Sequence, residues 1–179
     1  MPIDESLPLV PVRIAVVKVM DNRDTNDSSK HNEGVDVLVE RAQEAGHQVV
    51  SRDRVASKFD AIVERVSTWV SDPAVDCVIA IGGTGLSSRD VTHEAIAHVW
   101  EHEIPGFGEL FRMISYQSVG SSAMQSRACA GLAGGVCLFA IPGSPGGVQD
   151  AWDALIGPQL DSRHRPCNLI EHLNCGCRG

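Results

Sequence analysis

The sequence predicts a single-domain α/β fold, a three-layer sandwich in which helices flank a mainly parallel β-sheet. Three observations carry that expectation. Short β-branched runs alternate with amphipathic helical stretches as strand, helix, strand, helix, strand up to residue 81, the order expected of parallel strands joined by crossover helices. The runs 77–81 and 136–141 are apolar almost without interruption, which suits strands covered on both faces. With 179 residues and 43% hydrophobic content, the chain can bury one substantial core but is short for two domains.

In chain order, residues 13–19 read as the first strand, and the polar stretch 21–33, which has no apolar period, reads as a loop. Val35, Leu38, Val39 and Ala42 recur at helical spacing over 34–45, with Gly46 placed as a C-terminal cap. A short second strand is expected over 48–51. Phe59, Ile62, Val63, Val66, Trp69 and Val70 share one face of a second helix that ends before Asp72-Pro73. The third strand, 77–81, runs into Gly82-Gly83-Thr84-Gly85, and a helix follows over 91–101. Pro105-Gly106-Phe107-Gly108 reads as a break before an amphipathic run over 109–117. Small residues dominate 121–135, where periodicity does not choose between close backbone packing and a close ligand. A last strand, 136–141, leads through the glycine-proline turn 142–147 to a helix with Val148, Ala151, Trp152, Leu155 and Ile156 inward. The stretch from 161 onward reads as a polar surface segment. Residues 1–11 and 174–179 are expected as flexible tails, and no internal repeat or linker is visible.

A formal charge of −8, with lysine only at positions 18, 30 and 58, leaves no basic stripe for a nucleic-acid backbone. No apolar run approaches the roughly 20 residues that span a bilayer, and the first residues lack a signal-peptide pattern. A cytoplasmic protein that contacts neither nucleic acid nor membrane is the expectation. Six cysteines without an export signal read as reduced thiols, with Cys77 and Cys137 as small core residues inside strands. Cys167, His172, Cys175 and Cys177 are ligand types that zinc accepts, but a Cys-x-Cys pair at a chain end is cramped, and a frayed terminus is the expectation there.

The chemistry is expected at the two strand-to-helix turns. Right-handed crossovers bring 82–85 and 142–147 to one sheet edge, where glycines let backbone amides approach an anion such as phosphate. Neither turn is a Walker A loop, and Ser88 stands where a dinucleotide turn needs its last glycine. Arg89 is placed to clamp phosphate. Asp90 either holds a magnesium ion between phosphates or caps the helix that begins at Val91. Glu109 and Arg112, one helical turn apart, read as a solvated pair. Ser126 and Arg127 either bind an anion or satisfy backbone groups.

These residues resemble the MoaB/MogA family of molybdenum cofactor biosynthesis, the MoaB branch most closely. The carriers are Gly82-Gly83-Thr84-Gly85 with Arg89-Asp90-Val91-Thr92, Pro105-Gly106-Phe107-Gly108-Glu109, Ser126-Arg127-Ala128, Pro142-Gly143-Ser144-Pro145 and Arg165-Pro166-Cys167-Asn168. The resemblance spans nearly the whole chain. It implies a MogA/MoaB-like fold, a homo-oligomer (trimer or hexamer) and molybdopterin binding, with other enzymes of the cofactor pathway as partners. Active members transfer an adenylyl group from Mg-ATP to molybdopterin.

On that resemblance Gly82, Gly83, Thr84, Gly85, Ser87, Arg89, Glu109, Ser126 and Arg127 bind nucleotide or molybdopterin. Pro142, Gly143, Ser144 and Pro145 form a second wall, and Asp90 is the catalytic residue and Mg2+ ligand. The chain departs from the family in three places. Ser57 stands where a catalytic carboxylate is usual, Met20-Asp21-Asn22-Arg23 replaces a Ser-Asp-x-Arg motif, and Gly34-Val35 replaces a Ser-Gly. Two functions follow from the resemblance: an adenylyltransferase, or a non-catalytic oligomeric molybdopterin-binding paralogue that scaffolds or delivers the intermediate.

Overall fold

The computed structural model describes residues 3–20 and 32–173. Its sheet has six strands, β1 (Arg13–Met20), β2 (Gln48–Ala56), β3 (Cys77–Ile81), β4 (His102–Glu103), β5 (Cys129–Ala133) and β6 (Val136–Ile141). They lie in the order β2-β1-β3-β6-β5-β4. The first four are mutually parallel, and β5 and β4 add an antiparallel edge. Helices α1 (Glu33–Glu44), α2 (Phe59–Val70), α3 (Thr92–Val99), α4 (Pro105–Val119), α5 (Pro145–Ala151) and α6 (Gly157–Leu160) cover the two faces, with a wider π-helical turn, Trp152–Ile156, joining the last two.

Period-two alternation in the strands sorts the core into two layers. Ile14, Val16, Ile79, Ile81, Phe139 and Ile141 face Leu38 of α1, Phe111 of α4 and Val148 and Ala151 of α5. Ala15, Val17, Val78, Ala80 and Leu138 face Ile62 and Val66 of α2 and Ile96 of α3. The chain leaves β1 towards β2 on one side and then crosses to β3 on the other. This reversal opens a crevice beyond the carboxyl ends of β1 and β3, the place where open α/β sheets bind ligands.

The amino ends of the strands are locked by one buried carboxylate. Asp76 accepts from the Arg13 backbone N–H and Nε at 2.9 Å each and from Nη2 at 2.9 Å, and its own backbone links β1 to β6 through Arg13 and Cys137. Asp76 is fully buried, and these donors offset the cost of holding its charge there.

Four sequence expectations are corrected. β2 extends to Ala56 instead of stopping at 51, because as an edge strand it alternates exposed and half-buried residues and carries Arg52, Asp53 and Arg54 without cost. Helix α4 starts at Pro105 instead of after Gly108: proline at the first helical position gives up only an N–H that has no partner anyway, and Phe107 and Phe111 bury one turn apart. The small-residue stretch contains strand β5, where Gly131 leaves room for the Trp100 ring, since a Cβ there would lie 2.6 Å from it. Finally, the segment after 161 is not merely surface: Ile170 and Leu173 are buried in the α1 layer, and Asn168 caps the short turn Leu169–His172.

Ahead of β1, the stretch the sequence marks as a tail lies against this segment. Ile3 bridges His164, the Asp4 N–H donates to the Arg163 carbonyl, and the Val10 N–H donates to Ser162 Oγ at 2.9 Å. Residues 174–179, with Cys175 and Cys177, and the polar stretch 21–31 lie outside the described residues. Among the described residues no helix is long and apolar enough to cross a membrane.

Candidate functional site

The crevice at the carboxyl ends of β1 and β3 is a cleft of about 170 Å³ lined by Lys18, Val19, Ser57, Gly82, Gly83, Arg89, Asp90 and Gly143. Both glycine turns reach it. The Gly82 N–H donates to the Ile141 carbonyl at 2.9 Å, which ties the end of β3 to the start of the second turn. Gly82 and Gly83 have φ of +101° and +67°, and a Cβ at Gly83 would collide with Thr92 Oγ1. Only glycine fits there. Thr92 holds the turn from beneath, its Oγ1 donating to the Gly82 carbonyl at 2.7 Å and its N–H to that of Gly83 at 3.1 Å.

Asp90 enters the cleft on the loop between Gly85 and α3. Its Oδ2 accepts from Ser87 N at 2.9 Å and Ser87 Oγ at 2.7 Å, so it braces its own loop. It does not cap α3: the cap position is Val91, which makes no side-chain cap bond. Ser57, at the end of β2, faces the same loop and donates from Oγ to the Arg89 carbonyl at 2.5 Å. The position that departs from the family pattern thus lines the cleft together with Asp90.

Arg127 works from behind the turn. Its Nε donates to the Gly85 carbonyl at 2.7 Å, its other guanidinium nitrogens bond the Asp90 carbonyl and the Glu94 carboxylate, and its N–H donates to Thr84. Of the two readings the sequence leaves open, the geometry supports the backbone-satisfying one. Burial acts to raise the Glu94 pKa, but the Arg127 hydrogen bond and charge outweigh it and leave the carboxyl below its ordinary value.

Arg127 and Ser126 also line a neighbouring cavity of about 160 Å³ with His93, Glu103, Arg112 and Cys129. Cys129 is no nucleophile there: burial, reinforced by Glu103 and Glu94, pushes its thiol up to about 12. Arg112 reaches the Ser126 carbonyl at 3.4 Å. Glu109 is exposed on α4 and lines neither cavity.

From the second turn only Gly143 lines the cleft. Ser144 caps α5 by accepting from Gly147 N, and Pro145 opens that helix. Thr84 is buried, and Ser87 acts through Asp90.

One residue was not singled out as a site residue from sequence. Lys18 continues the inward row of Ile14 and Val16, pairs in register with Ile81, and is only 9% exposed beside Gly82 and Gly143. The signal was a lysine near the carboxyl end of an otherwise apolar inner strand, a position that strands rarely give to a charge without use.

Comparison with known proteins identifies the family and the fold. A family model described as a probable molybdopterin binding domain matches residues 18–162. Molybdenum cofactor biosynthesis protein B of Escherichia coli (strain K12) is 43% identical over 169 residues, covering 94% of this chain and 96% of that protein. The protein of the same name from Bacillus subtilis (strain 168) is 40% identical over 150 residues, 83% and 86% of the two chains. A crystal structure of molybdenum cofactor biosynthesis protein B superposes with a TM-score of 0.78 at 40% identity, covering 84% of this chain and 91% of that one. The tungsten cofactor synthesizing protein MoaB from Pyrococcus furiosus superposes with a TM-score of 0.68 at 26% identity, covering 82% and 91%. A domain match over most of the chain, and relatives this similar along nearly their full length, show that the chain belongs to the MoaB/MogA family of molybdenum cofactor biosynthesis proteins.

Proposed function

We propose that the cleft binds molybdopterin and Mg-ATP and transfers an adenylyl group between them. The observation that carries this reading is the meeting of both glycine turns at the crevice between β1 and β3, with Asp90 and Lys18 on its walls. A terminal phosphate oxygen of molybdopterin attacks the α-phosphorus of ATP, and the bond to the bridging oxygen of the β-phosphate breaks. The products are adenylyl-molybdopterin and pyrophosphate. Because the phosphate is the nucleophile, no side chain needs to be one, and catalysis rests on alignment and charge neutralisation.

The donor set fits a magnesium ion held chiefly by phosphate oxygens. Among the described residues, Asp90 is the one carboxylate lining the cleft, and no group of three or more His, Cys, Asp or Glu side chains suited to a metal occurs. Magnesium is commonly bound through one or two carboxylates plus substrate phosphates, and it would neutralise their charge. Asp90 would hold it, and the Ser87 hydrogen bonds to Oδ2 fix the carboxylate for that task.

A second reading rests on Ser57. A hydroxyl in place of a carboxylate beside Asp90 favours a non-catalytic oligomeric paralogue that binds and delivers molybdopterin. In both readings we propose a trimer or hexamer. Leu110, Met113, Tyr116 and Val119 form an exposed apolar stripe on α4, continued by Met124, of a kind that monomers seldom leave in water.

The deciding experiment is incubation of the purified protein with molybdopterin, Mg2+ and α-labelled ATP. Labelled adenylyl-molybdopterin is the expected product. Binding of molybdopterin without product assigns the paralogue. A Ser57→Asp variant that then gains turnover identifies the missing carboxylate as the reason.

A further inference from the structure

We infer that Lys18 is a phosphate-binding residue of this cleft and gives it an affinity for phosphate groups that does not depend on Mg2+. The inference rests on the adenylyl-transfer or molybdopterin-binding reading of the site and adds to it a specific cation and a metal dependence.

Position is the first argument. Lys18 lies two residues from the end of β1, opposite Ile81, the last residue of β3. A Cβ built on Gly143 would come within 3.1 Å of Lys18 Nζ, and one built on Gly82 within 3.7 Å. The ammonium therefore sits between the two turns, at the level where both backbones would meet an anion, and the absence of side chains at 82 and 143 keeps that space clear.

Charge is the second. The side chains lining the cleft include two cations, Lys18 and Arg89, and one carboxylate, Asp90. Ser57 contributes a hydroxyl where a second carboxylate would cancel that balance. Among the described residues that line it, cationic side chains thus outnumber carboxylates, on a chain whose formal net charge is −8. An anionic ligand repelled by the surface as a whole is attracted here, and a carboxylate-lined cleft would need a metal to do the same.

Rigidity is the third. Arg89 is exposed on its loop, whereas Lys18 extends from a central strand and is 9% exposed, so its ammonium is held in place with little conformational freedom to lose on binding. The ligand class is a polyphosphate or a phosphate monoester, which the nucleotide and the pterin respectively supply.

The test is calorimetric titration of the intact wild-type oligomer with inorganic pyrophosphate, in EDTA and in Mg2+, alongside Lys18→Gln and Lys18→Arg. Wild type is expected to bind in EDTA. Lys18→Gln should weaken that binding about tenfold or more, as expected for loss of a charge-assisted hydrogen bond, and recover part of it in Mg2+. Lys18→Arg should stay within a few-fold of wild type, and thermal melts check that each variant is folded. Displacement of bound pyrophosphate by ATP assigns the cation to the nucleotide chain; displacement by molybdopterin but not ATP assigns it to the pterin phosphate. Equal binding by wild type and Lys18→Gln in EDTA overturns the inference, as does wild-type binding that requires Mg2+, and either result leaves the proposed function standing. No pyrophosphate binding in any condition overturns both.

Discussion

Arg127 and Gly85 are joined by a 2.7 Å hydrogen bond from the guanidinium Nε to the glycine carbonyl, a link across 42 residues that fixes the floor of the first glycine turn. The same guanidinium also holds the Asp90 carbonyl, so one side chain sets both ends of the loop 85–90. Arg127→Ala should strip two half-buried carbonyls of their donor and cost about 2 kcal/mol of stability. Amide hydrogen exchange should show the loss concentrated at 85–90, and ligand binding should fall with it. Uniform exchange along the chain would contradict this role.

Asp90 is the residue on which adenylyl transfer should depend most. Asp90→Asn keeps an oxygen to accept from Ser87 and so preserves the loop, but removes the charge a metal needs. Turnover should disappear with little change in melting temperature. Full turnover in that variant would remove Asp90 from the mechanism.

Two glycines make a paired test of the backbone. Gly83→Ala meets both a positive φ and the Thr92 hydroxyl and should cost about 2 kcal/mol or more. Gly106, near the start of α4, has open space around it, and Gly106→Ala should leave stability unchanged or raise it by about 0.5 kcal/mol. Chemical denaturation of both variants measures the contrast.

These glycines also mark what could be read without the structure. Both turns, their flanking strands and helices α1 and α2 were legible because an uninterrupted apolar run or a three-and-four spacing admits few alternatives. Strand β5 was not, because Cys129-Ala-Gly-Leu-Ala takes its conformation from pairing with β6 and from the Trp100 ring, neither of which is local. Pro105 misled for a related reason: a proline that breaks a helix and one that opens it look alike until Phe107 and Phe111 are seen to be buried. In the site, Asp90 was found by its motif. Lys18 could not be placed there because its relevance depends on Gly143, 125 positions away, standing beside it.

Acid should weaken the fold through His47. The imidazole is nearly buried, its Nδ1 accepts from the Val12 N–H at 3.3 Å, and its edge meets Trp152. Burial lowers its pKa below the ordinary 6.5, with Asp161 opposing and Arg163 adding to the shift. Below that pH the unfolded chain takes up a proton that the folded one refuses, so stability should be flat above about 6.5 and decline beneath it until folded His47 also titrates. Glu94 and Asp161, held below their ordinary values, act only at lower pH. Denaturation at pH 7.5 and 5.5 should show a smaller difference in His47→Gln than in wild type.

The α4 stripe predicts assembly. Met113 and Tyr116 are 67% and 62% exposed in the single chain, and Met113→Glu should shift the protein to smaller species in light scattering while the far-ultraviolet spectrum stays the same. An unchanged mass would mean that the stripe makes no subunit contact.

The Asp76–Arg13 clamp gives the molecule room to evolve. It sits at the amino end of β3 and the cleft at the other, with a strand of five residues, roughly 17 Å, between them. Changes that far apart and without shared partners usually combine additively. Drift at Lys18 or Ser57, which line the cleft, should therefore leave intact the latch that holds the sheet together. A lineage can try new chemistry at one pole while the other keeps the architecture intact.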